Sequence, residues 1–146
     1  EGMAKNSTQK IVLTALGGSV ATNPDGLIAE VVVVSNYDEL RALGKEKVQG
    51  KIVLYNVKFD KRLSDQNQAG AAYGQVTAYR GNGAIEAAKL GAVGVLVRSA
   101  GGSQNRVVHT GGMRYAEGVT KIPAASTTYE DAELIAHLSK MGKVKM

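Results

Sequence analysis

The stretch Gly83–Arg98, GAIEAAKLGAVGVLVR, decides the fold. Ala84, Ala87, Ala88 and Gly91 recur at helical spacing, and all are small, so that face of a helix can lie close against a sheet. Glu86 and Lys89 are left for solvent. Gly91 sits where the glycine that ends a helix belongs. Ala92–Val97 is apolar on both alternating faces, and a strand with no polar face is normally covered on both sides, as in parallel or mixed sheets. Gly94 within it predicts close backbone approach from a neighbour. Arg98 is expected to mark the exit to solvent.

Working outward, the same helix–strand alternation continues on both sides. Lys10–Ala15 (KIVLTA) predicts a short strand, broken by Gly17-Gly18-Ser19. Asn23-Pro24-Asp25-Gly26 is a turn signal. Leu27–Val34 (LIAEVVVV) is rich in β-branched residues and predicts a longer strand. Ser35 or Asn36 caps a helix through Leu43, with Asp38 and Glu39 in its first turn and Gly44 at its end. Lys51–Asn56 is the next strand. Val57–Gly74 carries few apolar residues and reads as a long loop, and Ala100–Gly118 as a second. Lys121–Thr127 (KIPAAST) predicts a strand whose Pro123 suits an edge or a strand start. Thr127 with Glu130, or Thr128 with Asp131, gives a capping pattern for a helix over Tyr129–Met141. Gly142 ends it, and Lys143–Met146 alternates as a last strand. The order predicts one α/β (α+β) domain over 10–146, with 1–9 a polar tail or cloning remnant.

Composition limits what such a domain can do. The 146 residues are 44% hydrophobic and 21% charged, enough for a real core. There is no cysteine, which removes disulfides, thiolate metal sites and a cysteine nucleophile. No apolar run approaches the ~20 residues of a membrane span, and no signal peptide is recognisable. The net charge of +5 is spread along the whole chain, with only Lys58, Lys61 and Arg62 grouped. A nucleic-acid binder would show a basic stripe interleaved with aromatics, so nucleic acid and membrane are not expected partners.

Catalytic motifs are equally scarce. Gly81-x-Gly83 before the helix matches half of a dinucleotide fingerprint, but Glu86 stands at the third glycine position. It is the one cue for the alternative reading, a free-standing α/β domain that binds a small ligand. No phosphate loop and no Gly-x-Ser-x-Gly elbow is present. His109 and His137 are the only histidines, they are far apart, and neither sits in a metal-ligand pattern. Tyr and Arg, the side chains most enriched at contact sites, gather in or beside the two long irregular stretches, Val57–Arg80 and Ala100–Gly118. Tyr79, Arg80, His109, Arg114 and Tyr115 are the candidate contact residues.

Three segments taken in order, KVQGKIVLYNV, AYRGNGAIEAAKLGAVGVLVRS and VVHTGGMRYAEGVTKIPAASTTYEDAELIAHL, resemble the protease-associated (PA) domain. More narrowly, they resemble the PA domain of zinc aminopeptidases and carboxypeptidases similar to plasma glutamate carboxypeptidase. LGGSVATNPDGLIAEVVVVSNYDEL is similar to the way that family enters the domain. The resemblance covers residues 10–146 and implies a compact, β-rich fold, a mixed sheet or open barrel flanked by helices. It implies a non-catalytic insert in an exported, secreted or periplasmic, zinc exopeptidase. There the domain shapes substrate access or makes protein contacts. It also implies that the zinc ligands and the general base lie in the peptidase domain, so no catalytic or metal residue is assigned to this chain. Its expected partners are its own peptidase domain and a peptide or protein substrate, and the parent enzyme can form a homodimer. Val57–Gly74 departs most from the family pattern.

Overall fold

The computed structural model describes residues 8–101 and 105–146. The tail expected over 1–9 lies almost wholly outside them, as do 102–104 of the second irregular stretch. Nine elements follow one another: β1 (Leu13–Ala15), β2 (Val31–Val34), α1 (Tyr37–Val48), β3 (Ile52–Tyr55), α2 (Lys61–Asp65), α3 (Ala69–Lys89), β4 (Gly94–Arg98), β5 (Ala124–Thr127) and α4 (Tyr129–Met141). The strands form one mixed sheet in the order β1-β5-β4-β3-β2. β2 to β5 run parallel, and β1 joins β5 antiparallel.

The two apolar faces expected of the central strand are both covered. Val95 and Val97 of β4 point to the side where Leu40 and Val48 of α1 and Ala84 and Ala87 of α3 are buried. Leu96 points to the other side, against Ala132 and Ile135 of α4. The small residues of α3 let it lie close to the sheet, so close that Gly83 touches the ring of Tyr55, whose hydroxyl donates to the Gly83 carbonyl at 2.8 Å. Burial beside Tyr37 and Glu86 pushes the Tyr55 hydroxyl far above its ordinary range, so it stays a donor.

Several caps match the expectation. Asn36 accepts the Glu39 amide at the start of α1, and Thr128 accepts the Asp131 amide at the start of α4. Gly91, at φ 83°, turns the chain from α3 into β4. Gly44, at φ 68°, breaks the helical path of α1, which resumes to Val48.

Other expectations are corrected. The stretch Val57–Arg80 is not a loop: α2 and the 21-residue α3 occupy most of it. Ala72, Val76, Tyr79, Gly83 and Ala87 are spaced by three and four residues and make an inward stripe along α3, with Tyr79 half-buried and the rest buried. Glycines at 70, 74, 81 and 83 hide that stripe, because each lowers intrinsic helix preference by about 1 kcal/mol, and packing outweighs them. Gly81 and Gly83 therefore lie in the middle of a helix and not at its start, which removes the cue for the small-ligand reading. Arg98 does not exit to solvent; it is 5% exposed. Leu27–Val34 is strand only from Val31, and Lys143–Met146 makes a single bridge, Glu30 to Lys145. Pro123 does precede a strand, but β5 is internal, between β1 and β4. At Gly94 an added Cβ would meet Leu27 Cδ2 at 3.0 Å, a flexible side-chain end, before any backbone atom.

Candidate functional site

The second irregular stretch is irregular but fastened. Gly17 pairs with the 111–113 segment, through Gly17 N to Gly111 O and Met113 N to Gly17 O, both 2.9 Å. Thr110 Oγ1 donates to the Ala15 carbonyl, and Ser126 Oγ donates to the His109 carbonyl. The Arg114 amide donates to the Gly81 carbonyl of α3. Backbone groups outside helix and sheet need partners, and here those partners pin residues 109–114 along the outer side of α3.

The five candidate residues divide among four places. Arg80 and His109 come together around Tyr73. Arg80 Nη1 donates to Tyr73 Oη at 3.3 Å and to the Thr110 carbonyl at 3.4 Å. The guanidinium lies 5.9 Å from the centre of the Tyr73 ring, and the His109 ring is 5.9 Å from it on another side. Arg80 is seated on Gly111: a Cβ there would stand 2.5 Å from the guanidinium carbon. Its Nε is buried without a hydrogen-bond partner among the described residues. His109 Nδ1 lies 2.8 Å from the Ala100 carbonyl. A carbonyl only accepts, so Nδ1 carries the proton and Nε2 is left as the free nitrogen.

Arg114 stands next along the same face, with Nε donating to Asn82 Oδ1 at 2.8 Å. Between it and α3 runs a shallow groove of about 400 Å³, lined by Gly74, Thr77, Gly81, Asn82, Gly112 and Arg114. Tyr79 and Tyr115 lie elsewhere. Tyr79 turns inward, 4.4 Å from the ring of Tyr37 and 5.5 Å from that of Tyr55. Tyr115 Oη donates to the Ile122 carbonyl and accepts the Val20 amide, which ties the segment after β1 to the segment before β5.

Tyr73 and Asn82 belong to this face and were not among the sequence candidates. Tyr73 and Arg80 are seven residues apart, two helical turns, so recognising α3 would have paired them. A second polar cluster was also unanticipated. Arg98 Nη1 donates to Glu133 Oε1 at 2.6 Å and Asn56 Oδ1 at 3.0 Å, and its guanidinium sits 4.2 Å from the Tyr129 ring centre. Every strong partner it needs is present, so it ties β3, β4 and α4 together.

Nothing in either cluster makes a nucleophile–base pair. Among the described residues no group of three or more His, Asp or Glu converges on a point that could hold a metal ion. No helix of the described residues is long and apolar enough to cross a membrane.

Comparison with known proteins follows the same outline. The family model described as PA domain matches residues 8–135. Carboxypeptidase Q of Xenopus laevis is 42% identical over 134 residues, which are 92% of this chain and 26% of that protein. The structure of a Peptidase M28 precursor from Shewanella amazonensis superposes with a TM-score of 0.82 at 38% identity, over 97% of this chain and 31% of the other. BSAP, a zinc aminopeptidase from Bacillus subtilis, shares the fold, with a TM-score of 0.53 at 20% identity over 90% of this chain and 26% of the other. The chain thus spans about a quarter of the length of the curated relatives it matches. With its five-stranded mixed sheet flanked by helices on both faces, the chain belongs to the PA domain family.

Proposed function

We propose that this chain is the non-catalytic PA domain of an exported zinc exopeptidase of the carboxypeptidase and aminopeptidase type. It shapes substrate access or makes protein contacts through the face built by α3 and residues 109–114. The observation that carries the reading is the match, near 40% identity over almost the whole chain, to a quarter-length stretch of carboxypeptidase Q. A family says little about function on its own; the site has to supply the role.

What the site supplies suits contact more than catalysis. Arg80, His109 and Arg114 present hydrogen-bonding groups on a face backed by a fixed segment, the usual way a rigid scaffold offers function. The described residues do not fit a zinc site: His109 offers only Nε2, no two further His, Asp or Glu converge with it, and His137 stands exposed on α4. Zinc in the parent enzyme would be held by residues outside this chain, and no chemical step is assigned to it here. The partners on this reading are the enzyme's own peptidase domain and a peptide or protein substrate, with a homodimer as the larger assembly.

The test is to assay the purified chain and the complete enzyme side by side on dipeptides, with and without added zinc. The reading expects turnover only from the complete enzyme. Zinc-dependent, chelator-sensitive turnover by the chain alone would overturn it.

A further inference from the structure

The sheet ends at β2, and that edge is half covered. The chain's last residues pair with the lower part of it: Ala29 N to Met146 O, Met146 N to Ala29 O and Val31 N to Val144 O. Above Val31 no backbone hydrogen bond of the described residues reaches the outer side of the strand. The register fixes which groups are left. Ile52 N donates to Glu30 O and Asn56 N to Val34 O, so the even-numbered residues turn their polar groups toward β3. In a parallel ladder the alternate residues then face outward. These are the Val31 carbonyl and both the N–H and C=O of Val33. The next outward amide, that of Ser35, is already taken by Glu39 Oε2 at 2.7 Å.

Exposed edges in natural proteins are usually blunted by a charge, a proline or a bulge on the strand itself. β2 has none of these. It is Val31-Val32-Val33-Val34, four residues of high strand preference. The edge opens instead at the base of a groove of about 1140 Å³, walled by α1 on one side and α4 on the other. Basic residues dominate its rim. Lys47, Lys58 and Lys140 line it, and no carboxylate of the described residues lies within 4.0 Å of their ammonium groups. Lys143 shares Glu30 with Lys51, at 3.7 and 2.5 Å. Of the acids, Glu133 is held by Arg98 and Glu30 by the two lysines, which leaves Glu46 alone.

We propose that this open edge takes an extended, acidic segment of a partner protein as an added sixth strand. A strand running parallel to β2 satisfies all three free groups. One residue donates its N–H to the Val31 carbonyl and accepts from Val33 N–H, and the residue two further on donates to the Val33 carbonyl. Main-chain bonds hold such a ligand, and alternate side chains read the walls. Its acidic residues answer Lys47, Lys58 and Lys140. The surface is separate from the α3 face, so the two readings stand or fall independently.

The test uses the 146-residue chain and a fluorescein-labelled, N-acetylated peptide that repeats Glu-Glu-Val-Val, so that both faces of the added strand carry carboxylates. Anisotropy should show saturable binding that weakens with salt, as rim charges require. Amide NMR shifts should concentrate on Val31–Ser35. Lys47→Glu combined with Lys140→Glu should weaken binding at least tenfold. Val33→Pro should abolish it while the melting temperature holds, because an outward N–H on an edge strand can be given up. The same peptide N-methylated at alternate residues should not bind. The proposal is overturned by no binding at millimolar peptide, or by an unaltered affinity in the charge-reversed variant. It is overturned equally by full binding of the N-methylated peptide, or by an oligodeoxythymidine or polyphosphate that binds the same residues as well as the peptide does.

Discussion

Replacing Gly83 by alanine sets two effects of opposite sign against each other. In the middle of α3, alanine is the better helix former by about 1 kcal/mol. Packing points the other way. A Cβ at Gly83 would lie 2.7 Å from Tyr55 Cε2, 3.1 Å from Cδ2 and 3.4 Å from Cζ. Carbon atoms settle at about 3.5–4.0 Å, so the ring must retreat by close to 1 Å. It has nowhere to go. Tyr55 is fully buried, its hydroxyl is bonded to the carbonyl of Gly83 itself, and the rings of Tyr37 and Tyr79 stand 5.7 and 5.5 Å away. Overpacking of this kind costs about 1–3 kcal/mol, and a strained or lost hydrogen bond adds about 0.5–1.5 kcal/mol.

Setting the helix gain against these, Gly83→Ala should lose roughly 0.5–3.5 kcal/mol. At about 3 °C per kcal/mol for a chain of this size, that is a melting temperature lower by roughly 2–10 °C. Gly74→Ala is the matched control. It lies in the same helix, and an added Cβ there meets nothing within 4 Å. It should stabilise by about 0.5–1 kcal/mol. Urea unfolding with both variants decides the matter. If Gly83→Ala unfolds at the same or higher urea than wild type, α3 does not lie against Tyr55 as described, and the close approach of helix to sheet is wrong.

Three other outcomes follow from the same coordinates. Gly94→Ala should cost about 1 kcal/mol, the low end of overpacking, because the added Cβ meets first Leu27 Cδ2, which can swing aside; a far lower denaturation midpoint would contradict that. Thr128→Ala removes a buried cap of α4 and should cost about 0.5–2 kcal/mol in urea unfolding. Lys51 holds the Glu30 carboxyl below the usual carboxylate range. A lowered folded value means that this contribution is present above the ordinary value of about 4.3 and is lost as pH falls through the folded one. Glu30→Gln should therefore show a shallower loss of stability than wild type on acidification below that value, and parallel acid-unfolding curves would refute it.

Much of this fold could be read in the residues because local and global signals agree there. Gly91 closes a helix and opens a strand, Thr128 and Asp131 cap α4, and the apolar run Ala92–Val97 demands two covers and receives them. Where intrinsic preference and packing disagree, reading failed. The first half of α3 is Gly- and Ala-rich and looks like loop, yet its inward stripe of Ala72, Val76 and Tyr79 suffices once a sheet is present to receive it. Arg98 looked like an exit because a cation rarely stays inside unpaired. Its partners come from two distant places, Asn56 just after β3 and Glu133 with Tyr129 on α4, and no local pattern announces them. The candidate face shows the same limit. Arg80 and His109 meet only because residues 109–114 are fastened along α3, whereas Tyr79, beside Arg80 in sequence, turns a quarter of the way round the helix toward the sheet.

The most direct test of the proposed role is substrate selectivity in the complete enzyme carrying Arg80→Ala, His109→Ala and Arg114→Ala together. The three side chains stand at the α3 face and outside the apolar core, so the isolated chain with these changes should melt close to wild type. In the enzyme, the ratio of kcat/KM between a short dipeptide and a longer peptide should shift several-fold, or the oligomeric state should change. A correctly folded triple variant with wild-type ratios and wild-type assembly would contradict the account.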